Sequence, residues 1–401
     1  MAGLSHDIKI LMLAKVLRSL IDLFCGSFLV AYIIEISHND VVPVSMYNLA
    51  FDIAVASAFV FFGRRIKGRD KLPLMRAGIV ANLVFLTAVI VLGAGAIRCI
   101  PLLGAFYGVA TTAYSLPMNV LVSENVSPKS VVKYSGYQYA INGAVSVVAP
   151  LALGAAIHAG SYGGTAVFLL VTTLLELALS FVIPSGPTGR GRLDLHGFWR
   201  KVEKDRNLDR VLLTEYLKGL SINGALGTVI TLYVIYAFET SLNLGIFTSV
   251  FAVFSIAMHA VFGRYAKRSD FTAILRPAII FTAVVSFTFA VHANRISFVF
   301  YNLCYVTAVQ LLQSITEINL FNVSNRPDVC GRFRMEYFVM REIYLNAGRV
   351  TGFMALLAVA LSGRLESLKY LLAALTSVLI LVGAIADRVN RDMDGETKAA
   401  S

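Results

Sequence analysis

A few ionisable side chains sit inside long apolar stretches, and their spacing limits what they can do. Lys15, Arg18 and Asp22 recur at intervals of three and four, so they share one helical face. Ser45, Asn48 and Asp52 do the same, as do Glu342, Asn346 and Arg349 in "MREIYLNAGRV". Asp22, Asp52 and Arg349 fall near the middle of their stretches. An ionised group at the centre of a bilayer costs about 2.5–3.5 kcal/mol, so such groups are kept where they meet water or an opposite charge. Two chemistries suit them. A guanidinium such as Arg349 anchors an anionic or polar group of a substrate. A carboxylate such as Asp22 or Asp52 takes up a proton and gives it back. Protonation then frees the arginine for substrate, and deprotonation recaptures it. The plainer alternative is a static salt bridge, Arg18–Asp22 being one.

The elements that position these residues are membrane spans. Of the 401 residues, 57 % are apolar and 15 % charged, against about 25 % charged in soluble domains. Mean hydropathy is +0.72. With roughly 20 apolar residues needed per span, twelve windows emerge, at 10–34, 44–63, 73–97, 100–122, 136–158, 163–184, 211–236, 243–263, 272–292, 297–320, 337–361 and 366–386. The expected fold is an all-α membrane protein of twelve helices in two six-helix halves. The halves cover 1–184 and 211–386, with a linker at 185–210 and a tail at 387–401. The first window lacks a small-residue cleavage site and reads as a span, not a removed leader. Basic residues cluster after even-numbered spans, as in Arg64, Arg65, Lys67, Arg69 and Lys71. The positive-inside rule therefore puts both termini in the cytoplasm of a multi-pass protein of the cell membrane. The net charge of +11 is thereby a matter of topology, and a nucleic-acid partner is not expected. Cys25, Cys99, Cys304 and Cys330 have neither metal-ligand nor framework spacing.

The halves resemble each other in sequence. Shifted by 200 positions, Phe62, Gly63, Arg64, Lys67, Asp70, Arg76 and Ile79 meet Phe262, Gly263, Arg264, Lys267, Asp270, Arg276 and Ile279. The same shift sets Lys15 and Arg18 against Glu215 and Lys218. Two parallel repeats of six spans are related by an axis along the membrane normal. Between them, "PSGPTGRGRLDLHGFWRKVEKDRNLDR" opens as a linker and continues as a charged surface helix carrying Trp199, the sole tryptophan.

Polar stripes mark particular spans. Span four carries Gly108, Thr112, Ser115 and Asn119 on one face, span seven Lys218, Ser221 and Thr228, and span ten Gln310, Gln313 and Glu317. Span six carries Thr172, Thr173, Glu176 and Ser180 on one face, a stripe without an evident purpose.

Six plus six spans, inner termini and a Gly-Arg basic loop after spans two and eight resemble the major facilitator superfamily. The family's loop signature runs glycine, three residues, aspartate, basic, any, glycine, basic. With its second glycine on Gly68, the following basic residue is Arg69, while Arg65 replaces the aspartate and Phe61 the first glycine. The resemblance implies gate roles for Gly63, Arg64, Arg69, Asp70, Gly263, Arg264 and Asp270. Span five holds "APLALG", similar to the family's antiporter element at Pro150 and Gly154. The resemblance also implies a central cavity lined by spans one, four, seven and ten. Its expected substrate contacts are Arg349, Arg18, Asn119, Lys218, Gln310, Gln313, Glu317 and Asn346. The family's packing of spans two and eleven makes Asp52 a partner for Arg349, with Asp22 competing.

The function expected is secondary active transport of a small organic solute by alternating access, coupled to protons. Alternatives on the same architecture are a flippase or exporter of an amphiphilic or lipid substrate and a non-transporting receptor or scaffold. No Gly-x4-Gly-Lys-Ser/Thr loop is present, so a gradient and not ATP supplies the energy. The six histidines have no ligand spacing and no nucleophile elbow occurs, so neither an enzyme, a metal site nor a cofactor is expected. The expected partners are the solute, protons and membrane lipids, and the expected state is a monomer.

Overall fold

The computed structural model describes residues 6–67, 69–125, 131–160, 162–183, 193–222, 224–238, 240–265, 271–324, 326–330 and 333–400. Helices account for almost all of them, and no strand occurs among the described residues. In chain order they are α1 (His6–Leu23), α2 (Leu29–Ile36), α3 (Val41–Ile66), α4 (Leu72–Leu92), α5 (Ile100–Asn125), α6 (Val131–Ala159), α7 (Tyr162–Ser180) and α8 (Leu195–Lys204). There follow α9 (Arg206–Leu220), α10 (Ala225–Phe238), α11 (Ser241–Tyr265), α12 (Phe271–Val291), α13 (Arg295–Ser324), α14 (Pro327–Cys330), α15 (Arg334–Leu361) and α16 (Leu368–Ala400).

The helix ends follow local chemistry. Asp40 caps α3 by accepting from the Val42 amide at 2.9 Å, Asp194 caps α8 through the Gly197 amide at 2.8 Å, and Asp205 caps α9 through those of Asn207 and Leu208. Before Asp40 the chain turns through His38 and Asn39, both left-handed, at φ 54° and 69°. Gly363, at φ 68°, ends α15 in the conformation that favours glycine.

Ten stretches are long and apolar enough to cross a membrane among the described residues. One of them, Leu72–Val122, takes in both α4 and α5, and a shorter apolar stretch, Leu242–Met258, lies within α11. Span one is α1 and α2 joined by a π-helical turn at Phe24–Phe28. Span seven is α9 and α10 with a break between Leu220 and Ala225.

The chain divides into two compact units, residues 1–192 with 231–253, and residues 193–230 with 254–401. The sequence repeat divides it only once, at the linker. In the first unit α5 packs against α3 and α4 through glycines. A Cβ at Gly108 would stand 2.5 Å from the Phe51 carbonyl, and one at Gly78 2.6 Å from the Tyr114 amide nitrogen. Residues of α11 belong here too. Ser249 donates to the Val147 carbonyl at 2.7 Å, and a Cβ on Gly245 would run into the Pro150 carbonyl. The small residues of "APLALG" thus form a seat for α11.

In the second unit α9 and α15 approach so closely that a Cβ on Gly348 would collide with the Tyr216 carbonyl, and one on Gly219 with that of Leu345. The linker helix α8 is amphipathic. Phe198 and Val202 join a buried cluster with Tyr337 and Val389, while Trp199 is 41 % exposed.

Candidate functional site

The charges expected from sequence gather into two groups, one in each unit. In the first unit the centre is Arg18, 4 % exposed on α1. Its Nε donates to Asp22 Oδ1 at 2.9 Å, and Nη2 donates to Thr111 Oγ1 at 2.9 Å. Its guanidinium lies 4.9 Å from the centre of the Tyr114 ring. The Tyr107 hydroxyl donates to the same Asp22 oxygen at 2.9 Å, and its ring stacks between Phe51 and Phe85. Asp22 therefore accepts from a cation and a phenol while its side chain stays 48 % exposed. The Arg18–Asp22 pair expected from the i, i+4 spacing is formed.

The stripe on α7 now has a destination. Glu176 is fully buried, and the charges acting on it are Arg18 and Asp22. The Tyr114 hydroxyl lies beside it without full hydrogen-bond alignment, and Arg18 Nη1 makes no hydrogen bond. The other stripe members satisfy themselves: Thr172, Thr173 and Ser180 each donate to a carbonyl of their own helix.

Helix irregularity marks the same place. The π-helical turn begins two residues after Asp22, and π-turns inside α-helices concentrate at functional sites. In span seven the break falls three residues after Lys218. With the repeat offset of 200, the two interruptions nearly coincide. Interrupted helices at matching positions of the two halves are the best structural pointer to a transporter's binding site. The sequence signal was Gly26 in the one and Gly224 in the other.

In the second unit the centre is Glu215, 1 % exposed on α9. It accepts from Lys218 Nζ at 2.7 Å and from Arg341 Nε at 2.9 Å. Lys218, expected to contact substrate, is 4 % exposed and held by this carboxylate instead. Arg349 Nη1 donates to Asn346 Oδ1 at 3.2 Å, and Asn346 in turn donates to the Glu342 carbonyl at 2.7 Å. Gly224, in the span-seven break, packs against Arg349, for a Cβ there would lie 3.4 Å from both its Cα and Cγ.

The remaining expected residues scatter. Asp52 is 2 % exposed on α3 in the first unit, whereas Arg349 belongs to the second. Asn119 is exposed at the far end of α5, and Glu317 is exposed on α13. Gln310 donates to Ser255 Oγ, and Gln313 is half-buried. Among the gate residues Gly63 is buried, Arg64 and Arg69 are exposed, and Asp70 accepts from the Leu72 amide at 3.1 Å. Gly263 and Arg264 fall in the last turn of α11, while Asp270 and Gly68 lie outside the described residues. Among the described residues no group of three or more His, Cys, Asp or Glu is placed to hold a metal ion.

The repeated arginines act alike. Arg76 Nη2 donates to the Ser180 carbonyl at 3.2 Å, tying α4 to the end of α7. Its counterpart Arg276 pairs with Asp387, tying α12 to α16.

Comparison with known proteins places this architecture. The family model for the Major Facilitator Superfamily matches residues 11–325. A Bacillus subtilis (strain 168) relative, the uncharacterized protein YqgE, is 25 % identical over 324 residues, covering 79 % of this chain and 74 % of its own. A crystal structure of a bacterial homologue of the iron transporter ferroportin, in its inward-facing state, superposes with a TM-score of 0.71 at 15 % identity, covering 96 % of this chain and 98 % of that one. That of the human organic anion transporter MFSD10 (TETRAN) gives 0.63 at 11 % identity, over 95 % and 98 %. At these identities the solved structures speak for the fold. The chain belongs to the major facilitator superfamily. It is a helical membrane protein with the fold of that family's transporters.

Proposed function

We propose that the protein is a secondary transporter that moves a small organic solute by alternating access, coupled to protons. The observation that carries the reading is the pair of interrupted helices at matching positions of the two repeats, each beside buried charges. Arg349 anchors an anionic or polar group of the solute, with Asn346 orienting it. Asp22 takes up the coupling proton, and Asp52 is the second candidate. An organic cargo is preferred to a metal ion because each carboxylate near an interruption is accompanied by an arginine or lysine, which repels a bare cation.

The full arrangement has twelve spans, with Leu72–Val122 counted as two and Leu242–Met258 as one, and it divides into the halves 1–184 and 211–386. Both termini face the cytoplasm of the cell membrane. A cavity of about 900 Å³ beside the linker supports that orientation, since it is lined by Arg200, Lys201, Lys204, Arg206 and Arg326. The protein works as a monomer.

A thermal-shift screen of organic anions and amphiphiles on purified protein finds the solute, because a ligand at 100 times its Kd stabilises by about 2.7 kcal/mol. Uptake of that solute into proteoliposomes, with and without a proton gradient, then tests the mechanism. Uptake that ignores the gradient removes proton coupling, and binding without uptake in either direction favours a receptor.

A further inference from the structure

We propose that Glu176 is a second proton-carrying residue beside Asp22 and that Arg18 is shared between the two, a switch that rests on the transport reading above. The geometry carries the idea. Glu176 is fully buried, and its one polar neighbour besides the charges of Arg18 and Asp22 is the Tyr114 hydroxyl, with neither carboxyl oxygen meeting a well-aligned donor. A carboxylate left ionised in that setting loses the hydration of its charge without replacement. A proton on one oxygen relieves it. The arginine that would neutralise it instead is next to it and committed elsewhere. Arg18 gives Nε to Asp22 and Nη2 to Thr111, and keeps Nη1 free. Asp22, in contrast, is half-exposed, so water can take the arginine's place at its carboxyl group.

Two arrangements of the same groups follow. In the one seen here Arg18 pairs with Asp22, and Glu176 holds the proton. In the other the proton leaves Glu176 by way of Asp22 for the solvent, Arg18 turns its free edge to the new carboxylate, and Asp22 is released to solvent or to solute. One proton is lost from Glu176 Oε, no bond other than O–H breaks, and the buried charge stays balanced by the same guanidinium.

The groups facing Glu176 are few. Arg18 and Asp22 approach from α1 and Tyr114 from α5. The charge that α4 brings to α7, Arg76, is bound to the Ser180 carbonyl and lies over the Phe181 ring, one turn beyond Glu176. The titratable side chains described on α6 are Tyr137 and His158.

The test is infrared difference spectroscopy of the full-length protein in lipid nanodiscs, titrated from acid to alkaline pH without any solute. Wild type is expected to lose a buried-carboxyl C=O stretch on deprotonation, and Glu176→Gln is expected to lack that band at every pH while keeping its melting temperature. The midpoint should move by about one pH unit or more in opposite senses when its neighbours change. Asp22→Asn frees Arg18 and removes a like charge, which favours the deprotonated form and shifts it acid-ward. Arg18→Gln removes the neutralising cation and shifts it alkaline-ward. A band unchanged in Glu176→Gln, or a midpoint unmoved in both neighbours, overturns the switch. If either neighbour variant unfolds, the Glu176→Gln spectrum alone decides the proton's location. Uptake indifferent to the gradient, with the titration intact, would instead overturn the coupling reading and leave the proton on Glu176.

Discussion

The two buried charge groups each centre on a helix of the repeat-related pair α1 and α9, and they reach opposite solutions. In the second unit Glu215 is saturated: two cations reach it at hydrogen-bonding distance, and Arg341 also touches Glu342. In the first unit Arg18 serves Asp22, and the deeper carboxylate, Glu176, goes without. A satisfied buried network fixes geometry, whereas an unsatisfied one stores the capacity to change. The comparison assigns a clamp to the second unit and a switch to the first.

The largest effect that tests this contrast is on stability. Glu215→Gln strands Lys218 and part of Arg341 in the interior, and loss of one partner of such a pair costs about 3–5 kcal/mol. The melting temperature in detergent should fall steeply. Glu176→Gln should change stability by no more than about 1 kcal/mol, since no ion pair is lost. Equal losses would erase the distinction.

The next effect concerns the helices that hold each group. Gly348→Val drives a side chain into the Tyr216 carbonyl and should cost about 1–3 kcal/mol. Gly26→Ala, in the π-turn, meets nothing within 4 Å and should be neutral to slightly stabilising. If Gly26→Ala destabilised as much, the wide turn would be a packed element and not an open one.

A smaller difference separates the repeated arginines. Arg276→Ala removes one of two cations from the nearly buried Asp387, which keeps Arg391. Arg76→Ala removes a carbonyl contact and a ring contact. Each should cost about 1 kcal/mol, with only the first relieved in part by Asp387→Asn in a double-mutant cycle.

The smallest effect lies outside the membrane. At Asp328 partial burial pushes the carboxyl up, but the Lys201 hydrogen bond and the charges of Arg326 and Lys201 outweigh it and hold the group below its usual value of 3.8. A depressed carboxyl stabilises above its unfolded value, and the benefit disappears as pH falls through the folded one. Asp328→Asn should therefore flatten a slight loss of stability below about pH 4, and salt should mask it.

Much of this was legible in the sequence. The 200-residue offset predicts that Arg76 and Arg276 have matching roles, and both tie the beginning of a helix to a later one, α4 to α7 and α12 to α16. The Arg18–Asp22 pair follows from spacing within one helix. What sequence hid is tertiary. Glu176 lies 158 positions from Arg18, and nothing in the stripe Thr172, Thr173, Glu176, Ser180 says which helix it faces. Lys218 reads as a cavity residue because its stripe is polar, yet Glu215 three residues earlier claims it. Tyr107 packs its ring between Phe51 and Phe85, and no spacing announces that its hydroxyl also fixes Asp22. Periodicity locates faces and is silent on register, so the π-turn escaped it.

That turn has a consequence for the evolution of the chain. A π-turn is an α-helix with one residue too many, accommodated by widening a single loop of the spiral. Removing one residue between Phe24 and Phe28 would close the loop and leave His6–Leu23 and Leu29–Ile36 each facing the neighbours they face now. The surplus residue is thus a reversible edit: a sister protein lacking it keeps the same span and the same contacts, and forfeits only the slack beside Asp22.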